Sequence, residues 1–196
     1  MIQTICLHHL LQEAVATPYR NLVTRPTGAA VRSRIEAAIA NSGCETAVLD
    51  FSGVDLLDFS CADEIVAKLL LAAALPVGEL AGPVLVLGGV REEQREALDH
   101  VLRHHRLAVA ARIHGTGAAD LLGWVTMDAR AAFAALRADC ERDDDGDAPG
   151  ACDALELAAR LEWPAPRTDA ALAELLDLRL ACRDGDRFQS ISLPPA

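Results

Sequence analysis

The chain has 196 residues, 52% of them apolar and 24% charged, which is material for one core plus a small satellite module and excludes wholesale disorder. Its formal charge of −11 repels a polyanion such as DNA on average, so nucleic-acid binding requires a local basic patch. No apolar run reaches the roughly 20 residues that cross a bilayer; the longest, from Ile65 to Val77, holds Lys68 and includes Pro76.

His8, His9, Gln12 and Glu13 break up what would be the apolar centre of a signal peptide, so a cytoplasmic protein without membrane attachment is expected. Arginine is used almost to the exclusion of lysine, Lys68 being the single exception, a bias expected of a GC-rich bacterial genome. Cys6, Cys44, Cys61, Cys140, Cys152 and Cys182 form no CxxC pair, a spacing that fits neither a zinc site nor a disulfide framework. They read mostly as small buried hydrophobes.

In chain order, Ile2 to Leu11 reads as a strand, followed by Thr17-Pro18 and a second short strand at Asn21 to Val23. Val31, Ile35 and Ile39 recur every four residues, predicting an amphipathic helix from Gly28 to Ala40 that Asn41-Ser42-Gly43 stops. Thr46 to Phe51 is a buried strand running into Ser52-Gly53. Ala62 to Ala74 is a helix, with Ser60 where an N-cap belongs and Asp63 and Glu64 in its first turn, where carboxylates favour the helix dipole. Strand Pro83 to Val90, helix Arg91 to His105, strand Ala108 to Ile113, a turn at Gly115 to Gly117, strand Ala119 to Val125 and helix Met127 to Ala138 complete an alternating pattern. Such alternation predicts an α/β domain over residues 1–139, a sheet flanked by helices.

Asp139 to Gly150 carries six acidic residues and one Arg; nothing there offsets the entropy of ordering, so residues 140–150 read as a linker. In residues 151–196, helix Cys152 to Leu161, a turn at Trp163-Pro164-Ala165-Pro166, helix Thr168 to Leu178 and a hairpin around Asp184-Gly185-Asp186 follow one another.

Val48-Leu49-Asp50-Phe51-Ser52-Gly53-Val54 and Asp58-Phe59-Ser60-Cys61-Ala62-Asp63-Glu64 resemble the STAS family, within it a STAS-like branch that reads DFxGV followed by SFADE. Thr24-Arg25, then Gly28 and Arg32, is similar to the TR or SR that precedes the first helix in that branch. The likeness spans roughly residues 20–75 in detail and 1–139 in element order. It implies a regulatory module that docks onto a protein: a kinase-like anti-sigma factor of ATPase fold, or another STAS protein, with self-association open. In the anti-sigma factor antagonists of this family, a Ser at the corresponding helix start is phosphorylated to break the complex. Here Phe59 stands at that position and Ser60 aligns with the next Ser. A phosphate on Ser60 would meet free backbone N–H groups, but Asp58, Asp63 and Glu64 would crowd it, and the balance favours a plain structural role. The partner-binding or phosphorylation candidates are Ser60, Asp58, Asp63, Glu64, Thr24 and Arg25.

Residues 151–196 resemble part of a winged helix that lacks the usual leading helix. If it read DNA, Arg167, Thr168, Arg183 and Arg187 would make the contacts. From Cys152 to Ala196, however, five arginines face eight acidic residues, a local charge of −3, and the electrostatics favour a protein partner. The competing reading is a transcription regulator, and a third is a structural subunit of an assembly.

His100 and His104, at i, i+4, have a chelating spacing but no evident third ligand. Cys61 lacks a neighbouring base in its motif, and Gly88-Gly89 and Gly115-x-Gly117 lack the spacing and Lys of a phosphate loop. No catalytic residue, metal or cofactor is expected.

Overall fold

In the computed structural model, residues 1–15, 20–75, 82–140 and 151–193 are described, and they fall into two compact units, residues 1–124 with Leu193, and Val125–Ser192. Within the first unit, strand β1 is Ile2–Cys6 and helix α1 is Leu7–Val15. The strand expected to reach Leu11 therefore stops early. Leu7 and Leu11, one helical turn apart, are both fully buried, while His9 between them, which a strand would place on that same face, is exposed; only the 3.6-residue period separates them.

A short strand β2, Asn21–Leu22, precedes α2, Arg25–Ser42. Thr24 caps α2 by accepting from Thr27 N, Pro26 sits in its first turn, and Gly43 ends it at φ 60°, the left-handed conformation that favours glycine. Strands β3 (Thr46–Asp50) and β4 (Leu56–Leu57) follow. The next helix is interrupted: α3 covers Phe59–Ala62, a π-helical turn covers Asp63–Ala67, and α4 covers Lys68–Ala73. Then come β5 (Val84–Val90), α5 (Glu92–His104), β6 (Ala108–Ile113) and β7 (Ala119–Gly123).

The sheet order is β1-β3-β5-β6-β7, with the first four strands parallel and β7 antiparallel to β6. This is the mixed α/β arrangement that the alternating pattern predicts. Ile5, Leu49, Leu87 and Val109 on alternate strand positions share one core with Val31 and Ile35 of α2, Ile65 of the π turn and Leu98 of α5. A monotonic order of parallel strands joined by right-handed crossovers places the connecting helices on a single face, so the other alternation, Thr4, Val48, Asp50, Gly88 and Arg112, belongs to the opposite face.

The second unit begins earlier than its sequence implies. Helix α6, Met127–Cys140, packs on α7 (Ala154–Leu161), α8 (Ala165–Asp177) and the second hairpin strand. The boundary expected at residue 139 falls instead at Val125, so that α6 belongs to this unit. Ala129, Ala132, Phe133 and Leu136 are buried at 3- and 4-residue spacing, which makes α6 core material for this unit. Cys152–Asp153, expected as helix, is strand β8; it pairs with β10 (Arg187–Ser190), which pairs with β9 (Ala181–Asp184). Of the expected linker, residues 141–150 lie outside the described residues.

Candidate functional site

At the start of α3 the N-cap is Asp58, not Ser60. Asp58 Oδ1 accepts from Cys61 N at 2.7 Å, and Ser60 Oγ donates to both Asp58 oxygens at 2.9 and 3.0 Å. A carboxylate outcompetes a hydroxyl for an unpaired helix N–H because the bond is charge-assisted. Ser60 is a half-buried residue of the first turn, its proton committed to Asp58.

Behind this cap, α2 and the π turn approach closely at Gly28. Arg25, Gly28 and Arg32 are three and four residues apart and share one face of α2, and without a side chain at Gly28 the Glu64 chain lies against the helix backbone. Glu64, 3% exposed, is thereby held among three cations. Lys68 Nζ donates to Oε2 at 2.6 Å, Arg25 Nη1 to Oε2 at 3.1 Å and Arg32 Nη2 to Oε1 at 3.3 Å. Burial pushes the Glu64 carboxyl up, but the bonds from Lys68, Arg25 and Arg32 outweigh it and hold it below the usual carboxylate value. Asp63 joins the same network through Arg25 Nη1 at 2.8 Å and His105 Nε2 at 2.7 Å. Here too burial opposes ionisation, and His105 and Arg25 pull the carboxyl below its ordinary value.

The six residues expected from the motif thus converge. Thr24 caps α2, its carbonyl accepts from Cys61 Sγ at 3.1 Å, and Arg25 reaches both carboxylates. Arg32, Lys68 and His105 were missed as site residues, although the 25/28/32 spacing and the i, i+4 pair Glu64/Lys68 were visible signals for the first two. His105 carried none, since it arrives from the end of α5. The Cys61 thiol is pushed up to about 11, first by burial and then by the Asp58 charge, which is the reverse of what a nucleophilic thiolate needs.

Just before and at the start of α3 two large apolar side chains are half exposed, Leu56 at 51% and Phe59 at 49%. Phe59 meets the His100 ring edge-on at 5.2 Å. The loop before them is tied down by α5: buried Gln94 donates from Nε2 to Val54 O at 2.7 Å and accepts from Arg91 N, and Arg91 bonds Ser52 O at 3.2 Å and Asp55 at 3.4 Å. At this helix start charged groups satisfy one another, the preceding loop is hydrogen-bonded to Arg91 and Gln94, and Leu56 and Phe59 are half exposed.

The residues expected to touch DNA are otherwise engaged. Arg167 forms a two-point ion pair with Asp128 at 2.9 and 2.6 Å and lies 4.1 Å from the Trp163 ring centroid; the bond to Arg167 lowers the Asp128 carboxyl. Thr168 is fully buried, so its assignment as a DNA contact is corrected: it sits on the inner face of α8 beside Ala171 and Leu172. Arg183 pairs with Asp186 at 3.2 Å and faces the Phe188 ring, while Arg187 bonds Ala151 O and comes within 4.0 Å of Glu156.

Among the described residues, no helix is long and apolar enough to cross a membrane. Comparison with known proteins adds no family assignment: no family model matches the chain, and no curated protein matches it at a significant level.

Proposed function

We propose that the chain is a non-catalytic regulatory adaptor of the STAS type that docks onto another protein through the surface at the start of α3. The observation that carries this reading is that half-exposed Leu56 and Phe59 flank the start of a helix whose own charged groups, Asp63, Glu64 and Lys68, are neutralised internally together with Arg25. A rigid apolar anchor with a polar rim is what a binding hot spot requires. The side chains at the same place are spent on mutual ion pairs, and the one thiol is pushed away from ionisation. A kinase-like ATPase or a second STAS protein is the partner the motif favours.

The second unit, in the order helix, short strand, two helices and hairpin, supports the winged-helix reading, here used on protein. Arg167, Arg183 and Arg187 pair with carboxylates of the same unit, and ion pairing of that kind withdraws the charges that would displace counterions from a duplex.

Affinity capture from the source cell, wild type against Phe59→Asp, tests the proposal by quantitative mass spectrometry. An ATPase-fold or STAS partner enriched with wild type and lost with the variant is the expected result. Equal recovery with both proteins, or specific retardation of the upstream DNA in a gel shift at physiological salt, rejects it.

A further inference from the structure

The opposite face of the sheet carries a cavity of about 350 Å³ at the C-terminal ends of β3, β5 and β6, distinct from the α3 surface. Its floor is Gly88, paired in register with Asp50 of β3. A Cβ at Gly88 would stand 3.2 Å from Val48 Cγ1, so the absence of a side chain keeps the hollow open. Gly89 has φ 61°, and a Cβ there would come within 2.9 Å of Ser52 N and 3.0 Å of Asp50 Oδ1. The β5–β6 register shifts between Leu87 and Val90, a bulge of the kind that accompanies binding sites because it ends pairing and opens the strand edge.

Polar groups of two signs flank this floor. Asp50 stands on one side, with Oδ1 accepting from Ser52 N at 2.9 Å. Arg112 stands on the other, its Nη1 anchored by donation to Gly117 O at 2.6 Å. One strand separates β3 from β6, so their backbones lie roughly 10 Å apart, two inter-strand spacings. Among the described residues, the hydroxyls of Thr4 and Ser52 on the same lining make no side-chain hydrogen bond.

We infer that this cavity is a binding site for a small amphoteric metabolite: a molecule with an ammonium or vicinal hydroxyl donor for Asp50 and an acidic group toward Arg112, its body resting on Val48 and Gly88. The volume lies at the small end of ligand pockets, which suits an amino acid or a nucleoside monophosphate and excludes a dinucleotide. The shared chemistry is a donor and an anion on one compact frame.

Calorimetric titration of the full chain with the twenty amino acids and with the nucleoside 5′-monophosphates tests the assignment, each set being one arm. Binding by members of one arm, tighter than about 1 mM and weakened at least about tenfold by Asp50→Asn and by Gly88→Val, is expected. Far-UV circular dichroism and thermal unfolding of both variants establish that they fold, and Asp50→Asn, which keeps shape, decides should Gly88→Val not fold. No binding in either arm, or binding that Asp50→Asn leaves unchanged, overturns the inference.

Discussion

Gly28 and Glu64 are in closest contact where α2 crosses the π turn: a Cβ on Gly28 would stand 3.1 Å from Glu64 Cβ and 3.3 Å from its Cγ. That approach delivers the Glu64 carboxylate between Arg25 and Arg32, and it makes one glycine responsible for the geometry of the whole network.

Gly28→Val is accordingly expected to destabilise the protein by roughly 1–3 kcal/mol, the range for overpacking a filled site. Urea unfolding measures it. An unchanged midpoint would show that the two helices separate freely and that the network does not depend on their contact.

Glu64→Gln keeps the volume of the side chain and removes its charge. Losing one partner of a fully buried ion pair costs about 3–5 kcal/mol, but Arg25 and Lys68 are about half exposed and return to water. A loss of about 2 kcal/mol is therefore expected, and the same unfolding assay at two salt concentrations should show it shrinking little with salt, because the carboxylate is buried.

Acid should weaken the fold through the same two carboxylates. Both Asp63 and Glu64 have folded values below their ordinary 3.8 and 4.5, so the unfolded chain takes up protons first as pH falls. Their contribution is complete above about pH 5 and is lost as pH drops through the lowered folded values. In Glu64→Gln the acid limb of the stability profile should flatten. An identical limb in variant and wild type would place the acid sensitivity elsewhere.

Cys61 and Cys182 should differ sharply in reactivity. Cys61 is fully buried with a thiol pushed up to about 11, whereas Cys182 is exposed. Timed iodoacetamide labelling read by mass spectrometry should modify Cys182 well before Cys61. From its ordinary 9.0 up to about 11, rising pH ionises the thiol in the unfolded chain and not in the folded one, and the stability Cys61 contributes is lost across that window.

Thr168 separates the two uses of the second unit. Its buried Oγ1 has no hydrogen-bond partner among the described residues, and a buried unpaired hydroxyl costs about 1–3 kcal/mol. Thr168→Val, of the same shape, should raise the thermal midpoint. A loss of DNA affinity with no gain in stability would instead restore Thr168 as a contact.

Periodicity and punctuation made much of this protein legible in its chain. Val31, Ile35 and Ile39 announced α2, Gly43 its end, and Thr46–Phe51 the central strand, because burial repeats of 3.6 and 2 residues are local signals. The motif also named Thr24, Arg25, Asp58, Asp63 and Glu64 as neighbours. Tertiary structure decided what local signals do not carry. Asp58 took the cap from Ser60 because its carboxylate was positioned to reach Cys61 N, and His105 joined Asp63 from 42 residues away. Helix α6 joined the second unit because its apolar face had a partner in α7 and α8. Composition alone placed that boundary at the acidic stretch after it. Charge pairing and helix packing depend on which surfaces meet in space, and sequence order does not state that.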